Sequence, residues 1–161
     1  MSVRVKVSVL VAVSALAAAQ ALSARADDLI WTAKASDGLV GLNYGPLDPG
    51  KAPLFLLSCF DGMGIAVLHL RQGVEGAKPG DALTIALSSG AAKTEVEGEA
   101  ARDDAADMTF AEASDIAVKP VLEVLRQAGP VTVTAGAASV SLSDNGRAEA
   151  VERFSQDCPL E

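Results

Sequence analysis

Ser58, Cys59, Asp61 and His69 are the residue types of a nucleophilic hydrolase, gathered in one short stretch. A hydroxyl or thiol can attack an acyl carbon, an imidazole can take its proton, and a carboxylate can orient the imidazole. His69 is the only histidine, hence the only side chain whose ordinary pKa lies near neutrality. The stretch lacks the G-x-S-x-G context of a nucleophile elbow. The same residues have a plainer reading: His69 as a polar residue at a sheet rim, and Cys59 as half of a disulfide. One His and two paired Cys leave too few ligands for zinc. Asp103, Asp104 and Asp107, with Glu97 and Glu99 nearby, form the densest acidic cluster. Calcium takes such oxygens, but the spacing matches no EF-hand loop. The cluster reads as a solvated acidic loop and as a candidate partner contact. Gly38, Gly41 and Gly45 are too spread to cradle a phosphate. The expectation is no cofactor, no metal and no enzyme activity.

These residues lie in a chain that opens like an exported one. Arg4 and Lys6 precede an apolar run from Val7 to Ala19, and Ala24-Arg25-Ala26 forms an A-x-A cut site before Asp27-Asp28. That is the order of a secretory signal peptide. The run is shorter than the roughly 20 apolar residues a spanning helix needs. Cleavage after Ala26 would leave one domain, residues 27–161, in the periplasm or outside the cell, with no membrane span. Removal of Arg4, Lys6 and Arg25 leaves 10 of the 13 Lys and Arg against all 21 Asp and Glu, a net charge of −11. Such a surface repels nucleic acid and anionic membranes, since phosphate binding needs clustered Lys and Arg. It is compatible with a cationic partner, although solubility alone accounts for it. Aromatic residues, at 4% of the chain, are too few for a stacking platform.

Cys59 and Cys158 are the only cysteines. In an oxidising compartment such a pair usually bonds. A loop of about 100 residues is closed at a gain of roughly 4–5 kcal/mol in chain-entropy estimates. The alternative is a Cys59 nucleophile with His69 as base.

The elements that must position these groups are mainly strands. Residues 28–34 and 38–44 read as two strands broken by Ser36-Asp37-Gly38, and Gly45 to Gly50 as a loop. Pro53 to Phe60 and Ile65 to Leu70 flank Asp61-Gly62, a tight-turn dipeptide. In this central hairpin Phe55, Leu57 and Cys59 share one face, and Leu54, Leu56, Ser58 and Phe60 the other. Its near-continuous apolarity predicts cover on both faces. Ala82 to Ser88 and Lys93 to Glu99 alternate as strands, with Glu95, Glu97 and Glu99 partly exposed; Arg102 to Asp107 is a charged loop, and Met108 to Ala113 a further strand. Ser114-Asp115 opens a helical stretch in which Val118, Val121, Leu122 and Leu125 form an apolar stripe. Gly129-Pro130 stops it. Val131 and Val133, then Val140 and Leu142, make a last hairpin around Gly136, with Thr132, Thr134, Ser139 and Ser141 facing solvent. Asp144 or Asn145 caps a final helix, whose stripe is Ala148, Val151, Phe154 and Cys158. The fold class is α+β: mostly antiparallel strands, as a sandwich-like or strongly curved sheet, with two short helices.

Trp31, Ser36-Asp37, Leu57-Ser58-Cys59 and the closing helix from Phe154 to Cys158 give a layout that resembles two groups of small exported bacterial proteins. One is the VasI-like family of periplasmic accessory proteins of type VI secretion. The other is the invasion-associated locus B family. The resemblance implies a noncatalytic envelope accessory role, and it carries no ligand residues. The leading functional expectation is therefore a binding or accessory protein that meets another envelope or exported protein through a sheet face or through the loops at 45–53 and 99–107. An inhibitor or immunity protein for an exported enzyme is one alternative. A small hydrolase using Ser58 or Cys59 with His69 is the other.

Overall fold

Alternation of apolar and polar residues makes nine strands among the residues described, 29–158 and 160, in a computed structural model of the chain. They are β1 (Leu29–Ser36), β2 (Leu39–Pro46), β3 (Phe55–Phe60), β4 (Ile65–Leu70), β5 (Ala82–Ser89), β6 (Ala92–Asp103), β7 (Met108–Ser114), β8 (Val131–Ala135) and β9 (Ala138–Leu142). Two helices, α1 (Val118–Leu125) and α2 (Arg147–Asp157), complete the domain. The expected signal peptide lies outside the described residues. All strands join one antiparallel sheet in the order β1-β2-β3-β4-β7-β6-β5-β8-β9. The α+β class and the mostly antiparallel sheet are thus as the alternation predicts.

The sheet is strongly curved. Tyr44 on β2 reaches Ser143, the first residue after β9, with its hydroxyl 3.1 Å from the Ser143 hydroxyl. In a flat sheet these strands would stand about 34 Å apart, seven steps of about 4.8 Å. The Trp31 indole N–H donates to the Ser143 carbonyl at 2.6 Å, and the Trp31 amide donates to the Asn145 carbonyl at 3.0 Å. The loop after β9 therefore closes the seam against β1 and β2. The inner face holds Trp31, Leu42, Phe55, Leu57, Leu68, Ile85, Leu87 and Val133, all buried. Helix α1 packs on β5 and β6, and α2 on β1 and β2, so both fill this inner side.

Cys59 and Cys158 form the expected disulfide, with a Cα–Cα distance of 5.8 Å. It ties the residue that ends α2 to the inner face of β3, across 99 residues of chain.

Several local expectations are corrected. The central hairpin does not turn at Asp61-Gly62 alone. A single 3-10 turn, Asp61–Met63, is followed by Gly64 at φ +65°, and the Gly64 amide donates to the Phe60 carbonyl at 2.9 Å. Only the inner face of this hairpin is fully covered; on the other, Ser58 is buried and Leu56, Phe60, Ile65 and Val67 are half-buried. Ser114 ends β7 rather than starting a helix, and Asp115 turns the chain at φ +56° before α1. Strand β6 runs through to Asp103, so the acidic loop is shorter than read. No side chain caps α2: Gly146, at φ +75°, is the N-cap, where a Cβ would press on the Trp31 carbonyl and Ile30. Ala148 is exposed, and Ala150 takes its place on the buried stripe.

Candidate partner-binding face

The outer face of the β2-β3-β4-β7 half presents three rows of side chains, set by register. Leu39, Phe60 and Ile65 form the first; Gly41, Ser58, Val67 and Ser114 the second; Asn43, Leu56, His69 and Glu112 the third. The first row is wholly apolar. Leu39 is 40% exposed, and Met63, in the turn at the end of this row, is 63% exposed. No helix covers these rows, because both helices lie on the inner side. The apolar residues arise from the near-continuous apolar run of β3 and β4, whose inner positions alone suffice for the core.

The third row ends in charge. The His69 imidazole Nε2 sits 2.8 Å from the Glu112 carboxylate. Glu112 in turn stands opposite Glu99 of β6. Beside them the Arg71 guanidinium pairs with Asp103 and lies 5.1 Å from the centre of the Phe110 ring. His69 meets the same ring edge-on at 5.6 Å. Burial pushes the His69 pKa below its ordinary value; Glu112 pulls it up and Arg71 pushes it further down. Burial outweighs the pull of the carboxylate, so the net shift is downward.

The sequence-predicted site residues are distributed as follows. Ser58 and His69 share the outer face but sit at diagonal positions, since Ser58 faces Val67 and His69 faces Leu56. Diagonal neighbours stand about 7–8 Å apart, and the hydrogen-bonded partner of His69 is Glu112. Cys59 points to the opposite face and its sulfur is bonded to Cys158, so it has no thiolate to attack with. Asp103 serves its own turn: its carboxylate accepts from the amides of Ala105 and Ala106, at 3.0 and 3.1 Å, besides pairing with Arg71. Asp104 and Asp107 are highly exposed and share Arg102. Their hydrogen bonds raise the pKa of that guanidinium. The acidic loop thus lies at the Arg71 end of the apolar face, with part of its charge already matched. Among the described residues no group of three or more His, Cys, Asp or Glu is arranged to hold a metal ion.

Three participants went unread in the sequence. Glu112 passed as an ordinary charge, and only the β4-β7 pairing brings it to His69. Arg71 was hidden for the same reason. Arg147 is only 3% exposed at the start of α2, donating to the carbonyls of Gln127 and Gly129, with Nη1 unpartnered. Burial lowers its pKa, against the opposing pull of Asp144. A period-3.6 reading cannot foresee a buried arginine, because its reason is the free carbonyls at the exit of α1.

No protein-family model, curated protein or solved structure matches this chain. No helix among the described residues is long and apolar enough to cross a membrane. The disulfide is compatible with a periplasmic or secreted protein.

Proposed function

We propose that this domain is a noncatalytic binding or accessory protein that works in the periplasm or outside the cell, docking another exported or envelope protein on its apolar outer face. The observation that carries the reading is the row Leu39, Phe60 and Ile65, with Val67 and Leu56 beside it, on a sheet face that no element covers. Contiguous exposed apolar surface rimmed by polar groups is characteristic of interaction sites. The rim at the β7 end carries Glu112 and Glu99, with the exposed Asp104 and Asp107 in the loop beyond, while Lys34 stands beside Gly41 on the β1 side. The acidic end favours a partner with an apolar centre and basic border, and it disfavours a second copy of the same acidic chain. An exported enzyme held by such a face would make the domain an inhibitor, a special case of the same docking. A hydrolase would need Ser58 and His69 as a working pair, and their diagonal placement gives that reading less support.

The test is capture of envelope proteins by immobilised domain, in wild-type form and as Phe60→Ser with Val67→Thr. Ala86→Thr, on the polar half of the same face, is the control. The reading expects a partner retained by wild type and by the control and lost by the double variant, with folding checked by circular dichroism. Equal retention by all three would refute it. His69→Gln should leave the partner bound. Loss of a measurable hydrolytic activity in that variant, with binding of no protein by any form, would put the hydrolase in its place.

A further inference from the structure

Strand β6 has two unlike halves. Glu99 to Asp103 pairs with β7, and Glu99 and Ala100 also with β5 or the segment before it, whereas Ala92 to Gly98 pairs with β5 alone. The two strands part at Gly98, where a Cβ would collide with the Glu112 carbonyl and Ala113. Beyond it β7 stays with β4, and the Ile116 amide continues along that strand by donating to the Ala66 carbonyl at 3.2 Å. A wedge of about 310 Å³ opens between the two, lined by Thr94, Glu95, Val96 and Glu97 on one side and by Ser114, Asp115, Ile116 and Ala117 on the other. The Ala100 amide donates to Asp81 on the β5 side. By the two-residue alternation of an antiparallel ladder, Gly98, Val96 and Thr94 also turn their backbone groups to β5. Glu97, Glu95 and Lys93 turn theirs to the wedge, as an unpaired strand edge.

We propose that this edge takes an extended polypeptide segment carrying Lys or Arg at alternate positions, added as a short strand beside β6. Strand addition supplies main-chain hydrogen bonds, and alternate side chains supply selectivity. Glu95 and Glu97 are exposed on the outer face, and no cation lies within ion-pair distance of either among the described residues. Directly opposite cross-strand positions favour opposite charges, so the residues facing Glu95 and Glu97 are basic. Those facing Thr94 and Val96 turn inward and are small or apolar. Asp115, exposed on the far wall, adds to the same selection. This edge is separate from the apolar rows on β2, β3 and β4 and does not depend on them.

The test uses the folded, disulfide-bonded protein and the fluorescent peptide Thr-Lys-Val-Lys-Val-Thr, capped at both ends. Binding is expected, and the amides of Glu95 and Glu97 should gain protection from hydrogen exchange. Methylating the two Lys amides of the peptide should weaken binding about tenfold or more, since two main-chain hydrogen bonds are lost. Methylating the two Val amides, which face away, should not. The variant Glu95→Gln with Glu97→Gln should bind more weakly with its fold intact. Equal weakening by either methylation pattern would mean that charge alone holds the peptide, and would overturn strand addition. So would absence of binding, or protection that appears elsewhere.

Discussion

The outer face of the sheet is two surfaces in one fold. On β2, β3 and β4 it presents Leu39, Phe60, Ile65, Leu56 and Val67, with Gly41, Asn43, Ser58 and His69 among them. On β5, β6, β8 and β9 it presents Thr84 beside Glu97, Ala86 between Glu95 and Thr134, Ser88 beside Thr132, then Ser139 and Ser141. The inner faces of both halves feed one core, completely buried on β2, β3 and β4 and partly buried at Leu83, Val96 and Val140 on the other half. The second half shows that a solvated outer face of this sheet can be built from Thr, Ser and Glu. The apolar outer rows of the first half are therefore not a requirement of the core. An exposed apolar row has a cost in solubility and invites unwanted association. Its presence on one half alone is what the proposed docking surface requires.

The largest expected effect concerns what lies beneath the apolar half. The disulfide anchors β3 to the end of α2, and no second bridge serves the polar half. Reduction, or Cys158→Ser, should lower the melting temperature by roughly 10 °C, from a loss of about 2–4 kcal/mol in a domain of this size. Hydrogen exchange should quicken first in β3 and α2. Uniform quickening in β8 and β9 would break the comparison.

Next comes the seam that holds the two halves in a curve. Trp31→Phe removes the indole donor to the Ser143 carbonyl and keeps most of the ring. The expected loss is about 1–2 kcal/mol by urea unfolding. An unchanged midpoint would mean that the seam is held by packing alone.

Substitutions on the outer face itself should sharpen the contrast. Val67→Thr on the apolar half and Ala86→Thr on the polar half should each change stability by less than about 1 kcal/mol, because both sites are only partly buried. Only the first should weaken partner binding. A stability loss of several kcal/mol for Val67→Thr would make the apolar row a folding feature and not a docking one.

The smallest effect is the pH response of His69. Its pKa in the fold is lowered, chiefly by burial, so the unfolded chain binds this proton more readily than the native state. Native stability should therefore be fully present above the unfolded value of about 6.5 and should fall as pH drops through it. Thermal scans between about pH 8 and pH 5 should show a smaller decline for His69→Gln than for wild type. A steeper decline in the variant would contradict the sign.

Much of the fold is legible in residue order because antiparallel strands write their faces at period two. Phe55, Leu57 and Cys59 on one face, or Val131 and Val133 against Thr132 and Thr134, follow directly from that rule. The disulfide was legible from cysteine count and the apolar placement of both partners. The uncovered face was not. An apolar run such as Leu54 to Phe60 reads the same whether a helix or a partner covers its second side. The pairing of β4 with β7, between which β5 and β6 intervene in sequence, was also unreadable. It joins His69 to Glu112 and, together with the β6-β7 pairing, Arg71 to Asp103. Local turn chemistry misled where two cap candidates, Asp144 and Asn145, stand just before the residue that caps, Gly146. The close approach of the Trp31 carbonyl and Ile30 selects the glycine.

The central claim is that the apolar rows of the outer face on β2, β3 and β4 meet the docked protein partner and the outer face of β5 and β8 around Ala86 does not, independently of any segment taken by the β6 edge. Photo-crosslinking side chains placed singly at Val67 and at Ala86 of the folded protein, in an envelope extract, test it most directly. The account predicts a crosslinked partner from position 67, competed away by unlabelled domain and joined through an apolar segment flanked by Lys or Arg, with none from position 86. Equal crosslinking from both positions, or crosslinking from position 86 alone, would contradict it.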